Sequence, residues 1–225
     1  MRLINKSMKT VVLLGPPGSG KSTQAQYLLD RLEASHVEMG ASLRKEALLP
    51  SPLGREVYRI INVEKSLVSD EVIASVLRDV LSQADPDHDI VLDGAPRRVS
   101  QIGLIESLLQ EIHHPLERVV FLRMTEETAI SRISARFYCR DQKHALILGR
   151  DVLLPSDRCP VCGSVIEQRV DDTPEGVRKR YRVFLEETLP VIEHYRKQKQ
   201  LIEVDANLSP EIVQALVGQQ LDLMQ

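Results

Sequence analysis

A glycine-rich stretch near the start of the chain has the residue types and spacing of a phosphate-binding loop. Residues 15–23 read Gly-Pro-Pro-Gly-Ser-Gly-Lys-Ser-Thr, which fits the pattern G-x-x-x-x-G-K-[ST]. In such a loop, consecutive backbone N–H groups surround the phosphates of a nucleotide, at the positive end of a helix dipole. Lys21 would add charge at the β- and γ-phosphates, and Ser22 would offer a hydroxyl to Mg²⁺. The residues expected to contact the nucleotide are Gly15, Gly18, Ser19, Gly20, Lys21, Ser22 and Thr23.

The segments on either side of the loop support this interpretation. Residues 10–14 form a β-branched, apolar run of strand length, and residues 23–29 are typical of a helix. The alternative interpretation is a glycine-rich turn that carries a lysine by chance. Such a turn would require neither a strand before it nor a helix after it. The sequence therefore predicts a nucleotide site where a strand ends and a helix begins.

The rest of the chain alternates between strand and helix patterns. Residues 35–38 indicate a short edge strand, and further strands are predicted at 89–92, 118–123 and 201–205. This alternation predicts an α/β fold with a parallel sheet, whose ligands bind at the carboxyl ends of the strands. Asp93 follows one strand and should face the loop, where its carboxylate could hold Mg²⁺ opposite Ser22. The alternative is an acid that only caps the strand end.

Capping residues mark the starts of several helices. Ser69, Thr125, Thr173 and Ser209 each precede acidic residues and a helical apolar pattern. The helix after Thr173 is expected to run to about Lys199. Residues 42–61 are helical but interrupted at 50–52, which predicts two short helices.

Composition excludes several classes of function. The 225 residues are 43% hydrophobic, and no apolar run approaches the roughly 20 residues of a membrane span. A net charge of −3, with 4% aromatic residues and no tryptophan, is not typical of a protein that binds nucleic acid or anionic membranes. Residues 1–9 lack the apolar core of a signal peptide, and we interpret them as a short, poorly ordered extension in which Met8 could equally be a start. These features predict a globular, cytoplasmic protein with no nucleic-acid or membrane partner.

Residues 136–172 differ in character from the rest of the chain. They contain all three cysteines and little periodicity beyond the apolar run 145–148, so we predict a small inserted domain. Cys159 and Cys162 have the Cys-x-x-Cys spacing of a metal or redox site.

Six arginines lie at strand ends, in this inserted segment or at its borders. They are Arg44, Arg97, Arg132, Arg136, Arg169 and Arg180. Most arginines only solvate a surface, but bidentate guanidinium groups can offset the repulsion between phosphates where two nucleotides meet.

In order and spacing, these motifs resemble the adenylate kinases of the long-lid bacterial type. The resemblance rests on Gly15-x-Pro17-Gly18-x-Gly20-Lys21-x-Thr23-Gln24, Arg44, Leu92-Asp93-Gly94-x-Pro96-Arg97-x-x-x-Gln101, Arg132-x-x-x-Arg136, Arg169-x-Asp171-Asp172 and Val177-Arg178-Lys179-Arg180. It covers the chain from about Lys9 to the C-terminus. It implies a monomer with a P-loop NTPase-like core at 1–37, 69–135 and 173–225. A helical insert at 38–68 would bind the nucleoside monophosphate, and 136–172 would form a lid.

The resemblance also implies a reaction and a set of residue roles. The family transfers the γ-phosphoryl group of Mg-ATP to AMP, with no covalent enzyme intermediate expected. Beyond the loop, the implied ATP contacts are Arg132, Arg136 and Leu208. The implied AMP contacts are Met39, Arg44, Ser66, Leu67, Val68, Gly94, Arg97, Gln101, Arg169 and Arg180. The implied catalytic residues are Lys21, Arg97, Arg136, Arg169 and Arg180, and the implied magnesium residues are Ser22 and Asp93.

Many bacterial members of the family carry a structural metal in the lid, usually between two Cys-x-x-Cys pairs. Here the first pair is reduced to Cys139, and the resemblance implies a zinc site of Cys139, His144, Cys159 and Cys162. Gln142, Asp141 and Asp157 are further candidates for the fourth ligand. Cysteines that remain reduced without a metal are the alternative to any zinc site.

Three departures from the family pattern affect the nucleotide pockets. Met39-Gly40-Ala41 stands where a Ser/Thr-Gly-Asp is usual, Ala95 replaces an aromatic residue or isoleucine, and Ala206 replaces a glycine. The first two leave CMP, UMP or dAMP as alternative acceptors, although Gln101 favours adenine because an amide offers both a donor and an acceptor. A non-catalytic nucleotide-binding module is a more distant alternative, and the N-K-x-D motif of a GTPase is absent.

Overall fold

A five-stranded parallel sheet forms the centre of the fold. The computed structural model describes residues 8–64, 66–140, 144–155 and 157–223. The strands in chain order are β1 (Thr10–Leu14), β2 (Ala34–Glu38), β3 (Asp89–Asp93), β4 (Leu116–Arg123), β5 (Arg136–Cys139), β6 (Ala145–Ile147), β7 (Ile166–Glu167) and β8 (Leu201–Asp205). The central sheet has the order β2-β3-β1-β4-β8, so the predicted α/β parallel fold and the edge position of β2 are confirmed. Of the predicted N-terminal extension, residues 1–7 lie outside the described part of the chain.

Helices connect the strands and cover the sheet. In chain order they are α1 (Lys21–Leu29), α2 (Met39–Glu46), α3 (Pro52–Tyr58), α4 (Asp70–Leu81), α5 (Ser100–Glu111), α6 (Glu126–Ser134), α7 (Pro174–Val183), α8 (Leu189–Lys197) and α9 (Pro210–Gln220). Among the described residues, no helix combines the length and the apolarity needed to cross a bilayer.

The long helical run predicted after Thr173 is interrupted rather than uniform. The chain widens into a π-helical turn at Phe184–Thr188, which joins α7 to α8. Pro190 lies in the first turn of α8 and cannot donate the backbone hydrogen bond of a continuous α-helix. A second π-helical turn, Arg59–Glu64, extends α3.

Strand pairing brings the two predicted site segments together. Leu13 on β1 lies opposite Asp93 on β3 in parallel register. The loop after β1 and the turn after β3 therefore leave adjacent strands at the same edge of the sheet, as the prediction that Asp93 faces the loop requires.

Both faces of the central sheet are buried. On β1, Val12 and Leu14 pack into a cluster with α4, α5 and α8, whereas Val11 and Leu13 pack into a second cluster with α1, α6 and α9. A strand that is buried on both faces needs a nearly continuous apolar sequence, which explains the pattern Thr-Val-Val-Leu-Leu. This packing provides a rigid base for the loop.

Residues 136–167 contain a small antiparallel sheet with the order β6-β5-β7. Its apolar side chains form a cluster of their own: Phe137, Cys139, Leu146, Val152, Cys159 and Ile166. The sequence predicts little regular structure here beyond the run 145–148. Strands of 2 to 4 residues are too short to show a period of two, which explains the difference.

Two helical glycines should respond oppositely to replacement by alanine. A Cβ at Gly54 in α3 would lie 2.3 Å from the Leu49 carbonyl oxygen, whereas a Cβ at Gly103 in α5 has open space around it. We expect Gly54→Ala to lower the free energy of unfolding by about 1–3 kcal/mol. Gly103→Ala should raise it by about 0.5–1 kcal/mol, because alanine loses less backbone entropy on folding. Urea unfolding measures both, and a Gly54→Ala protein as stable as the parent would contradict the packing.

Candidate phosphate-binding active site

The loop after β1 presents backbone donors to the crevice. Gly18 and Gly20 have φ values of +79° and +87°, a left-handed conformation that only glycine adopts without strain. Gly20 is the N-cap of α1, and no described side chain caps that helix. The first N–H groups of α1 are therefore available to an anion. Ser19 Oγ is buried and has no hydrogen-bond partner among the described residues, so the loop holds one more polar atom that a ligand could satisfy.

Lys21 lies folded back across the loop. Its Nζ donates to the Gly15 carbonyl at 3.0 Å and to the Pro16 carbonyl at 3.2 Å. Burial lowers the pKa of Lys21 to about 8, and nearby Arg97 and Arg136 contribute to the shift, while Asp93 opposes it. The ammonium is thus held in a poorly hydrated, electropositive place where an anion would bind favourably.

Ser22 and Asp93 meet across the crevice. Ser22 Oγ donates to Asp93 Oδ2 at 3.4 Å. Burial raises the pKa of Asp93, and the neighbouring Lys21 counters that shift. A hydroxyl and a carboxylate oxygen at this spacing fit the hard oxygen ligands that Mg²⁺ prefers.

Two of the arginines that the sequence assigns to the AMP phosphate are Arg97 and Arg44. Arg97 Nε donates to the Gly94 carbonyl at 2.9 Å. Burial lowers the pKa of Arg97, and Asp93 opposes this shift. Arg44 pairs with Glu38 at 3.1 Å on a partly exposed surface.

A fully buried carboxylate holds two of the predicted catalytic arginines. Asp172, with a side-chain exposure of 0%, accepts from Arg136 Nη2 at 3.0 Å and from Arg180 Nη2 at 2.9 Å. Arg180 also pairs with Asp171 at 3.0 Å. Arg180 Nε is buried without an acceptor among the described residues. The sequence motif includes Asp172 but assigns it no role, and the structure shows that it brings Arg136 and Arg180 together.

Arg169 completes this cationic group. Its guanidinium lies 4.4 Å from the centre of the Tyr138 ring, and that of Arg136 lies 5.3 Å from the same ring. Burial lowers the pKa of Arg169, and the charges of Arg44 and Arg136 contribute to the shift. Sequence reasoning misses Tyr138 because a single aromatic residue on a short strand carries no motif.

The predicted contacts of the ATP base also lie together. Arg132 Nη2 donates to the Leu208 carbonyl at 3.1 Å. Asn207 Oδ1, next in the chain, accepts from the Thr125 N–H at 3.2 Å. These contacts join both ends of α6 to the loop after β8.

Gln101, which the sequence assigns to AMP, contacts two residues that the sequence did not single out. Its Nε2 donates to Asp70 Oδ1 at 2.9 Å, and its Oε1 accepts from the Arg98 N–H at 3.3 Å. Of the remaining predicted contacts, Met39 is only 1% exposed and packs into the core cluster. Leu67 is half-buried, Ser66 is exposed, and Gly94 lies beside the Arg97 guanidinium. The Val68 carbonyl accepts from Arg98 Nη1 at 3.2 Å.

A separate cluster lies at the small antiparallel sheet. One ligand atom from each of Cys139, His144, Cys159 and Cys162 lies within 4.8 Å of those of the other three. His144 Nδ1 lies 3.4 Å from Cys139 Sγ and 3.5 Å from Cys159 Sγ. Asp157 instead accepts from the Leu153 and Leu154 N–H groups at 2.8 and 2.7 Å. Two more candidates for the fourth ligand, Asp141 and Gln142, lie outside the described residues.

Comparison with known proteins places these observations in a family. Residues 13–200 match the family model described as adenylate kinase. A protein named adenylate kinase from Thermosipho africanus is 36% identical over 206 residues, which cover 90% of this chain and 94% of that protein. Another from Xanthomonas campestris pv. campestris is 37% identical over 211 residues, covering 94% and 98% of the two chains. A third from Fervidobacterium nodosum is 33% identical over 210 residues, covering 92% and 94%. The chain therefore belongs to the adenylate kinase family and is a phosphotransferase.

Proposed function

We propose that this chain catalyses the reversible reaction of ATP and AMP to two molecules of ADP in the crevice between the phosphate loop and the Asp93 turn. Family membership supports this reaction. The observation that carries the assignment is the convergence of Lys21, Arg97 and Arg136, since both arginine charges add to burial in depressing the pKa of Lys21. Such a concentration of cations suits two polyphosphate substrates that must approach each other.

The chemistry follows from positioning and charge. The loop N–H groups and Lys21 hold the ATP phosphates, while Arg44 and Arg97 hold the phosphate of AMP. Arg136, Arg169 and Arg180 stabilise the charge of the transferring group, and Arg132 and Leu208 border the ATP base. Phosphoryl transfer needs little covalent help from a protein once donor and acceptor oxygens are aligned, so no covalent enzyme intermediate is expected.

Mg²⁺ that accompanies ATP would neutralise phosphate charge when bound. Ser22 and Asp93 would hold it, directly or through water, because they meet at 3.4 Å. We propose that residues 38–68 and 136–172 act as mobile inserts on a core of residues 1–37, 69–135 and 173–225. Closure of the second insert would exclude the water that otherwise hydrolyses ATP.

The comparisons favour AMP over CMP, UMP or dAMP as the acceptor, because the relatives that align with this chain over most of their length are named adenylate kinase. Family membership likewise disfavours a non-catalytic binding module. We propose further that the chain acts as a cytoplasmic monomer whose partners are the nucleotides. Its net charge of −3 gives it no general affinity for nucleic acid or anionic membranes.

A coupled assay of ADP formation from Mg-ATP and each common monophosphate tests the reaction. AMP should give the highest kcat/KM, and Lys21→Ala should lower it by a factor of about 100 or more, because a donor to the transferring charge is lost. Lys9→Ala is the matched control, since Lys9 pairs with Glu117 at the surface, and its kcat/KM should stay within about twofold. Near-normal turnover in Lys21→Ala would contradict the site, and preference for another monophosphate would contradict the acceptor.

The lowered pKa of Lys21 predicts how ATP binding depends on pH. Free protein loses the Lys21 charge as the pH rises through about 8. Bound phosphates favour the charged form, so binding at higher pH must take up a proton. The Kd for ATP should be constant below that pH and weaken by up to about tenfold per pH unit above it.

Calorimetry in buffers of different ionisation enthalpy measures this proton uptake directly. Lys21→Met should bind ATP weakly, with no such uptake, because methionine does not titrate. A parent protein whose Kd stays unchanged between about pH 7 and about pH 9.5 would contradict the assigned role of Lys21.

We propose that the Cys3His cluster binds a structural zinc ion. Three cysteine sulfurs and one imidazole nitrogen form a recognised tetrahedral set, and their mutual spacing fits Zn–S and Zn–N bonds that meet at one point. The small sheet has few apolar residues, so a metal would offset the entropy lost when residues 136–172 become ordered. With four protein ligands, the ion would leave no position for substrate.

Metal analysis and melting of two histidine variants test the zinc site. Protein purified without chelator should contain about one zinc per chain, and His144→Ala should lower both zinc content and the melting temperature, the latter by on the order of 5 °C. His194→Ala, in α8 and outside the cluster, should change neither. The Kd for ATP should stay close to that of the parent in both variants. Absence of zinc in the parent, with melting unaffected by chelator, would contradict the proposal.

A further inference from the structure

The side chain of Gln101 is held from both ends of its amide. Its Oε1 accepts from the backbone N–H of Arg97 at 2.7 Å and of Arg98 at 3.3 Å. Its Nε2 donates to Asp70 Oδ1 at 2.9 Å, and the residue is only 2% exposed. Backbone N–H groups can only donate, and an ionised carboxylate can only accept. These partners therefore fix which end of the amide is oxygen and which is nitrogen.

This arrangement leaves the Gln101 amide with a single hydrogen-bonding group for a ligand. Both lone pairs of Oε1 are engaged by backbone donors, and one of the two Nε2 hydrogens is engaged by Asp70. The remaining N–H can only donate. A free glutamine could turn its amide to suit either a donor or an acceptor, but this one is held as a donor.

Asp70 is itself held in place. It is the first residue of α4, after the Ser69 cap, and 28% of its side chain is exposed. Arg98 Nη1 lies 3.9 Å from Asp70 Oδ1 and donates to the Val68 carbonyl, while Arg98 Nε pairs with Glu187 at 3.2 Å. Arg98 therefore sets a positive charge beside Asp70 and ties the segment that includes Val68 to the start of the Gln101 helix.

We propose that Asp70 is a positioning residue that makes the acceptor site selective for bases with an unprotonated ring nitrogen at the Gln101 amide. This proposal rests on the proposed function, in which Gln101 faces the monophosphate base. Adenine N1 accepts a hydrogen bond from such a donor, whereas the N1–H of a 6-oxopurine and the N3–H of uracil would oppose it. A site built around a fixed polar group rejects the analogue that leaves that group unpaired. Cytosine has an acceptor at N3, so this contact alone does not reject it.

Kinetics of Asp70 variants with AMP and with IMP, the matching 6-oxopurine nucleotide, test the proposal. Asp70→Ala should raise the KM for AMP by about tenfold and reduce the preference for AMP over IMP, with the KM for ATP unchanged. Asp70→Asn, which keeps an acceptor but not the charge, should recover part of both. Glu71→Ala is the matched control, because Glu71 also lies in the first turn of α4 but is exposed, and the Gln101 amide donates to Asp70 rather than to it.

The outcomes separate this proposal from the proposed function. If the parent fails to phosphorylate AMP, the proposed function is wrong, and calorimetric binding of AMP and IMP to the same variants still measures the selectivity of the site. If the parent is active and Asp70→Ala keeps the AMP-to-IMP preference of Glu71→Ala, the role of Asp70 is overturned. Should Asp70→Ala fail to fold, the same comparison made with Asp70→Leu, which also removes the acceptor of the Gln101 amide, decides it.

Discussion

The site depends on holding several cations close together before any phosphate is present. Burial lowers the pKa values of Lys21, Arg97 and Arg169, and the charges of neighbouring arginines lower each of them further. Carboxylates limit this repulsion: Asp93 faces Lys21, and Asp172 joins Arg136 to Arg180. In the proposed reaction, each acid would keep a cation near the position of a phosphate. The arrangement is therefore preorganised for anions, which is how electrostatic catalysis avoids reorganisation during the reaction.

The parallel sheet provides the geometry that this charge requires. The register of β1 and β3 sets Leu13 beside Asp93, so the loop and the acidic turn begin at the same level. Helices pack on both faces of the sheet, and the strands that carry the loop and the turn are fully buried. A flexible side chain such as lysine can then act at a defined place, because its backbone is fixed.

The sequence predicts best what depends on neighbouring residues. The phosphate loop, the strand before it and the cap at Ser69 each follow from local spacing, and the structure contains them. The contact between Asp70 and Gln101 spans 31 residues, and the pair of Arg136 with Asp172 spans 36, so neither has a local signature. The buried position of Met39 could not be predicted either, because a methionine suits a core and a pocket lining equally. Tertiary contacts therefore set the part of the site that local patterns do not predict.

Positioning and charge, without a covalent protein intermediate, are the core of this mechanism, and the path of the transferred phosphorus tests them most directly. In a single turnover with AMP and ATP labelled at the γ-phosphorus, the label should pass to the β-phosphoryl group of the ADP formed from AMP. Protein quenched in acid during that turnover should carry no label. Labelled protein that passes its label on to AMP would contradict the mechanism, as would release of the label as inorganic phosphate at the rate of ADP formation.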